Sequence, residues 1–204
     1  MCILGVAAPA ASAVIRVEPD DFGTFTPLTN AVPGVTLSID SRPELSIISY
    51  DMFGVPSTGT RLFGIIGLGG EQAEFYLNTE FRADFNKLAD SVSIDFIGAN
   101  PVFSTFGKLL AFNSNGNLLD SFFTDPLARG QIQSGVVTST GFQIAYVVAS
   151  ITEGSQSGTD LDNLVANVAS VPESSSTLGI LSISTLGAGL ALKRKLKQKL
   201  SEIF

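Results

Sequence analysis

The chain has 204 residues, of which 15% are charged, with a formal net charge of −7, no His, no Trp and a single Cys, Cys2. This composition excludes Ser-His-Asp catalysis, His-ligated or Cys-rich metal sites and intramolecular disulfides. From Val14 to Pro172 there are 17 acidic and 7 basic residues, so the basic stripe that a nucleic-acid partner requires is missing.

The first thirteen residues, MCILGVAAPAASA, have the pattern of the second half of a secretory signal peptide. An apolar run, Cys2 to Ala8, precedes Ala11-Ser12-Ala13, which fits the small-x-small site of a signal peptidase. The basic n-region is missing, which a true start upstream of Met1 or a misassigned start codon explains. The alternative to a signal peptide is an Ala-rich frayed terminus. We predict a signal-peptide remnant over residues 1–13, and export of the rest of the chain.

Residues 14–169 alternate between short β-type runs and clusters of Gly, Pro, Asn and Ser. Apolar and polar residues alternate along Ser91–Ile97, which is typical of a half-buried strand. Asn113–Asn117, which contains Asn-Gly between two apolar runs, predicts a hairpin turn. About ten such strands predict an all-β domain, a single antiparallel β-sandwich of the jelly-roll kind. A helical turn is considered only for Thr79–Leu88.

An uncharged run, Leu178–Leu192, stands near the C-terminus, and a basic cluster over residues 193–199 follows it. Fifteen helical residues rise ~22 Å, short of a ~30 Å hydrocarbon core, and the preceding Ser and Thr residues lengthen the span. We predict a transmembrane helix over residues 175–192 with the cluster inside the cell, which places the body outside. A buried helix of a soluble domain is the alternative, but it leaves the cluster unexplained. The basic residues are Lys193, Arg194, Lys195, Lys197 and Lys199.

The order of Val171-Pro172-Glu173, apolar helix and basic cluster resembles the PEP-CTERM sorting signal, over residues 170–199. The resemblance implies an exported protein whose tail is held in the membrane and processed near the Pro-Glu motif by an exosortase. It also implies delivery to the cell surface or the extracellular matrix. Ser174 stands where the family has a second Pro, so cleavage and permanent anchoring both stay open.

The body is similar to those of many exported proteins that carry this tail, and such bodies resemble galactose-binding or carbohydrate-binding-module sandwiches. The segments that carry the resemblance are Val17–Thr24, Pro33–Ser38, Val92–Gly98, Leu109–Leu119 and Asp160–Leu164. In such sandwiches the first and last strands often meet, and acidic residues from both hold a structural calcium. Ordinary turn chemistry is the simpler alternative for the same acidic residues. The candidate calcium ligands are Glu18, Asp20, Asp21, Asp160 and Asp162, with Asn163 beside them.

These patterns predict a non-catalytic, exported surface or matrix protein, with extracellular polysaccharide as the expected ligand. Sugar sites combine aromatic rings with polar side chains, and no spacing selects among the available ones, which are Tyr50, Tyr76, Asn78, Arg82 and Asn100. The Phe residues are expected in the core. The alternatives are a permanently anchored surface protein and a secreted glycan hydrolase that uses Glu74 and Glu80.

Overall fold

Eleven strands and one 3₁₀ turn form the part of the chain that this computed structural model describes, residues 12–40, 42, 44–51, 56–67, 72–73, 79–151 and 159–170. The elements are β1 (Ser12–Val17), the 3₁₀ turn (Pro19–Asp21), β2 (Val35–Ile39), β3 (Ser46–Asp51), β4 (Arg61–Ile66), β5 (Gln72–Ala73), β6 (Phe81–Gly98), β7 (Gly107–Phe112), β8 (Leu118–Phe123), β9 (Ile132–Thr138), β10 (Ile144–Ile151) and β11 (Thr159–Ala169). Every pairing between these strands is antiparallel, which confirms the all-β, antiparallel prediction.

The 18-residue strand β6 belongs to two layers. Its first half, residues 81–89, pairs with β2 and β10, and its second half, residues 89–98, pairs with β9 and β11. The first layer therefore has the order β2-β6-β10-β7-β8. In the second layer, β4 and β3 continue beyond β11, β1 pairs with the end of β11, and β5 pairs with β4.

A single apolar core lies between the two layers. Along β6, Phe81 and Ala83 are buried, whereas Arg82 between them faces outward, as the two-residue period of a strand requires. Both layers contribute to the same cluster, for example through Leu37, Phe81 and Val147 from the first and Phe63, Ile94 and Leu164 from the second. Two layers around one core form a β-sandwich.

The predicted hairpin is confirmed at residues 113–117, between β7 and β8. Asn113 Oδ1 accepts hydrogen bonds from the backbone N–H groups of Asn115 and Asn117, at 3.0 and 2.9 Å. Gly116 has φ +77°, a left-handed conformation that glycine adopts without strain. The turn is therefore specified by residues within five positions of one another.

The helical turn considered for Thr79–Leu88 is wrong, because this segment is part of β6. Its inward residues Phe81 and Phe85 pack in the core, while Arg82 and Asp84 face outward as an ion pair. Burial of alternate residues by the opposite layer decides the conformation here.

Several predictions fall outside the described residues. These are most of the signal-peptide remnant and the whole sorting tail, including its motif, helix and basic cluster. Ser12 and Ala13, the last residues of that predicted remnant, lie in β1 and pair with Ala169 and Val168. Within the described ranges, no helix has the length and apolar character needed to cross a membrane.

Candidate functional site

The pairing of β1 with β11 brings together acidic residues from the two ends of the domain. Val17 pairs with Leu164, so Glu18 emerges from β1 next to the turn of β11 at Asp162 and Asn163. Glu18 is buried and Asp162 is fully buried. The condition for the predicted calcium site, that the terminal strands be neighbours, is therefore met.

Asp162 is hydrogen-bonded to the loop at Ser57 and Thr58, which precedes β4. Its Oδ2 accepts hydrogen bonds from the backbone N–H groups of Ser57 and Thr58, at 3.0 and 3.1 Å, and from Ser57 Oγ at 2.8 Å. Burial raises the pKa of Asp162 to about 6, and the negative charge of Glu18 acts in the same direction. These hydrogen bonds oppose that rise only in part.

Asp95 is a third buried carboxylate beside Asp162, its partner across β6 and β11. It accepts hydrogen bonds from Ser57 Oγ at 2.7 Å, from Asn163 Nδ2 at 3.2 Å and from the hydroxyl of Ser134. We call Glu18, Ser57, Asp95, Asp162 and Asn163 the acidic junction. The alternating pattern puts Asp95 on the polar side of its strand, and the loop at Ser57, which that pattern does not reveal, covers it.

The other predicted calcium ligands have different surroundings. Asp20 accepts a hydrogen bond from the N–H of Thr60 at 2.8 Å and so shapes the loop before β4, which is turn chemistry. Asp21 is exposed, and Asp160 is buried two residues before Asp162 on β11. The structure thus brings Glu18 and Asp162 together, holds Asp20 in the loop before β4 and leaves Asp21 exposed.

The acidic junction fits a calcium ion in part. Glu18 Oε1 and Asn163 Oδ1 are buried and accept no hydrogen bond from any described residue, as is expected of oxygens that face a cation. The second oxygen of Glu18 is paired with Arg16 at 3.0 Å. No group of three or more acidic side chains is placed to hold a metal ion in the described ranges, so backbone carbonyls or water would have to complete the ligand set.

A second candidate surface is the outward side of the first layer, which we call the open face. One row of side chains crosses it in register from β2 to β7, and it consists of Thr36, Asp84, Tyr146 and Phe112. A parallel row runs from β2 to β8, and it consists of Ser38, Arg82, Val148, Leu110 and Ser121. Polar residues thus occupy the β2 and β6 side of the face, and the apolar surface lies on the neighbouring β10 and β7, at Tyr146, Val148, Leu110 and Phe112.

Arg82 and two aromatic rings form a stack along this face. The Tyr146 ring is stacked on Phe112, with centroids 4.9 Å apart and an interplanar angle of 12°. The Arg82 guanidinium lies 3.8 Å from the centroid of Tyr146, and it is held by Asp40 and Asp84, each at 2.8 Å. Both faces of the Tyr146 ring are covered, so its edge and hydroxyl remain for a ligand.

Phe123 supplies an open aromatic ring at the β8 end of the face. It is 58% exposed and pairs in register with Lys108, which lies 3.8 Å from Glu80. At the opposite end, a cleft of about 170 Å³ follows β2 and includes Asp84 in its lining, together with Asn30, Thr36 and Asn86. Aromatic surface and hydrogen-bonding groups therefore occur on one side of the sheet, the combination that a sugar ring requires.

The described residues that were considered for sugar binding and hydrolysis lie on different parts of the domain. Arg82 and Glu80 lie on the open face. Tyr50, on β3, packs against Phe25 with ring centroids 5.9 Å apart. Asn100 Oδ1 accepts hydrogen bonds from the backbone N–H groups of Val102 and Phe103. Tyr76, Asn78 and Glu74 are outside the described residues. Phe123 was missed because Phe was assigned to the core as a class.

No family model matches the chain, and no curated protein matches it in sequence. Among solved structures, the chain is similar to the K2 cleaved adhesin domain of Lys-gingipain, with a TM-score of 0.47, 10% identity, and 76% of this chain and 99% of that chain covered. It is similar to a family 35 carbohydrate-binding module from Clostridium thermocellum, with a TM-score of 0.38, 13% identity, and 76% and 97% covered. At such TM-scores these similarities say nothing about what this chain binds.

Proposed function

We propose that this protein is an exported, non-catalytic surface or matrix protein whose sandwich domain binds extracellular polysaccharide on the open face. The observation that carries the proposal is the exposed ring of Phe123 on the same sheet surface as Arg82, Asp84 and Tyr146. The outward face of an antiparallel sheet is ordinarily polar, so three aromatic rings there indicate a contact surface.

The charges of the open face favour a neutral polymer. Arg82 is neutralised by Asp40 and Asp84, and Lys108 lies beside Glu80. The domain as a whole carries an excess of acidic residues. A polyanion would therefore meet repulsion, because the two cations described on this face, Arg82 and Lys108, are already paired with carboxylates. Neutral sugar hydroxyls, in contrast, can use the fixed carboxylates as acceptors.

Affinity electrophoresis tests this proposal directly. The full chain, kept in a detergent without a sugar headgroup, is run through gels that contain xylan, mixed-linkage β-glucan, galactan or alginate. Slower migration in a neutral polymer is expected, and unchanged migration in all four gels would reject the binding role. Loss of polymer chain length in the same gels, abolished by Glu74→Gln or Glu80→Gln, would replace the proposal by the hydrolase alternative.

Export and sorting rest on the sequence. The supporting features are the small-x-small pattern before Val14 and the tail with Val171-Pro172-Glu173, the apolar run Leu178–Leu192 and the basic cluster 193–199. Mass spectrometry of the protein from its native bacterium locates both termini. A new C-terminus near Glu173 supports exosortase processing, a terminus at Phe204 supports permanent anchoring, and a domain retained inside the cell contradicts export.

The proposal includes a structural calcium at the acidic junction. Glu18, Asp162 and Asn163 would hold it, because two of their buried oxygens have no hydrogen-bond partner in the described ranges. Calcium there would tie β1 to the turn of β11.

A further inference from the structure

A cleft of about 410 Å³ opens at the side of the sandwich, between β8 of the first layer and the end of β9 in the second. We call it the lateral cleft. Five of its six lining residues are polar, and one of the five is a carboxylate. The lining consists of Leu119, Asp120, Thr138, Ser139, Thr140 and Gln143. Its volume lies in the range of small-molecule sites, about 300–1,000 Å³.

Asp120 is fixed in this cleft by the backbone. Its Oδ2 accepts a hydrogen bond from the N–H of Thr138 and its Oδ1 from the N–H of Ser121, both at 2.8 Å. Each carboxylate oxygen has two acceptor sites, so one remains on each oxygen after these bonds. No Lys or Arg of the described residues forms an ion pair with Asp120. Two adjacent, preorganised acceptors therefore border the cleft.

The turn between β9 and β10 supplies the opposite side. Gln143 Nε2 donates to the carbonyl of Thr140 at 2.8 Å, which holds the amide in place and leaves its Oε1 as an acceptor. The hydroxyls of Thr138 and Thr140 form no hydrogen bond with the described part of the chain, as donor or acceptor, and both residues are exposed. Fixed polar groups lose little conformational entropy when a ligand binds.

We propose that the lateral cleft is a second saccharide site, which binds a neutral sugar through two adjacent hydroxyls on Asp120. Two neighbouring hydroxyls match the two free acceptor positions of one carboxylate, while Thr138, Thr140 and Gln143 contact the remaining hydroxyls. Leu119 contacts the apolar edge of the ring. The cleft has no cation to bind an anion. It shares no residue with the open face, so the domain can contact two glycan segments at once.

Nuclear magnetic resonance of the uniformly ¹⁵N-labelled full chain tests this site, in a detergent without a sugar headgroup. Glucose, galactose, mannose and xylose are titrated separately into the millimolar range. Shifts are expected at the amides of Thr138, Ser139 and Thr140, which line the cleft. The apparent affinity for sugar, fitted from these shifts, should fall at least tenfold in Asp120→Ala and several-fold in Thr140→Val. Thr140 is exposed, so its substitution leaves the strands intact. Phe123→Ala, on the open face, should leave them unchanged.

Three results would overturn the site. One is the absence of amide shifts at the cleft with all four sugars. Another is a set of cleft shifts that persists in both Asp120→Ala and Thr140→Val. The third is a response to methylammonium chloride without a response to sugar, which would assign the cleft to a cation. Because Phe123→Ala affects only the open face, failure of the lateral cleft and failure of the main binding proposal are distinguishable.

Discussion

Asp95 and Asp162 share one hydroxyl, because Ser57 Oγ lies 2.7 Å from the first and 2.8 Å from the second. A hydroxyl carries one proton and can donate it to only one carboxylate. For both contacts to be hydrogen bonds, one of the two carboxyl groups must bring its own proton. Asp162, whose pKa is raised to about 6 by burial, is the group that takes up this proton as the pH falls.

The stability of the domain should therefore depend on pH through Asp162. A carboxyl with a folded pKa of about 6 and an unfolded pKa of about 3.9 binds more protons in the folded state between these values. Its contribution to stability is present below that window and is lost as the pH rises through 6. The free energy of unfolding, measured by urea denaturation, should rise by about 1 kcal/mol from pH 7 to pH 5, and Asp162→Asn should remove this rise.

The matched control for this measurement is Asp125→Asn, which removes the same charge from an exposed side chain. It should keep the pH dependence of the original protein. An unchanged pH dependence in Asp162→Asn would show that the acidic junction does not take up the proton. Ser57→Ala should lower stability more at pH 7 than at pH 5, because at pH 7 it leaves two charged carboxylates without their shared donor.

Calcium should raise the melting temperature at pH 7. An ion that binds only the folded state stabilises it by mass action, and it requires ionised carboxylates, so the increase should shrink at pH 5. Calorimetry with calcium and with a chelator measures both. Glu18→Gln should reduce the increase, whereas Asp21→Asn, at an exposed position, should preserve it. An identical melting temperature with and without calcium would rule out a structural calcium ion at the acidic junction.

Gly59 should be intolerant of a side chain. It has φ +53°, and a Cβ there would lie 2.1 Å from the carboxyl carbon of Asp20, which binds the N–H of Thr60. Gly59→Ala should cost about 2–3 kcal/mol, from left-handed strain and from displacement of Asp20. Gly141→Ala is the control, since Gly141 has φ +74° but open space around it, and it should cost only about 1 kcal/mol. If urea denaturation gave the same decrease in the free energy of unfolding for Gly59→Ala and Gly141→Ala, this explanation would be wrong.

Binding to a neutral polysaccharide should depend on Phe123 and not on exposed Phe in general. Phe103 has the same exposed fraction, 58%, but lies in the loop between β6 and β7. Phe123→Ala should weaken binding about tenfold, the amount expected when a buried aromatic contact is lost, while Phe103→Ala should have no effect. Affinity electrophoresis in graded polymer concentrations measures the affinity of both variants. A similar loss of affinity in the two variants would show that the binding site is not the open face around Phe123.

Local features were predictable from the sequence. The turn at residues 113–117 was found because Asn113 and Gly116 specify it by themselves. One non-local feature, the meeting of the first and last strands, was implied by a family resemblance, and β1 pairs with β11.

Two other features, which also depend on distant parts of the chain, were not predictable from the residues themselves. Asp95 has the pattern of an exposed residue, and it is buried only because Ser57, 38 positions earlier, folds over it. Similarly, nothing near Phe123 distinguishes it from the core residues Phe81 and Phe96. Its exposure follows from β8 being the last strand of its layer, which is a property of the sheet order.

Because β6 forms ladders with four other strands, neither layer can come apart while the other stays intact. Opening β6 removes neighbours from both at the same moment, so the domain should unfold in one cooperative step rather than layer by layer. The amide hydrogens in the middle of β6 should then exchange with solvent only through global unfolding. The slowest exchange in the molecule is expected there, at a strand that joins the surface proposed for glycan to the junction proposed for calcium.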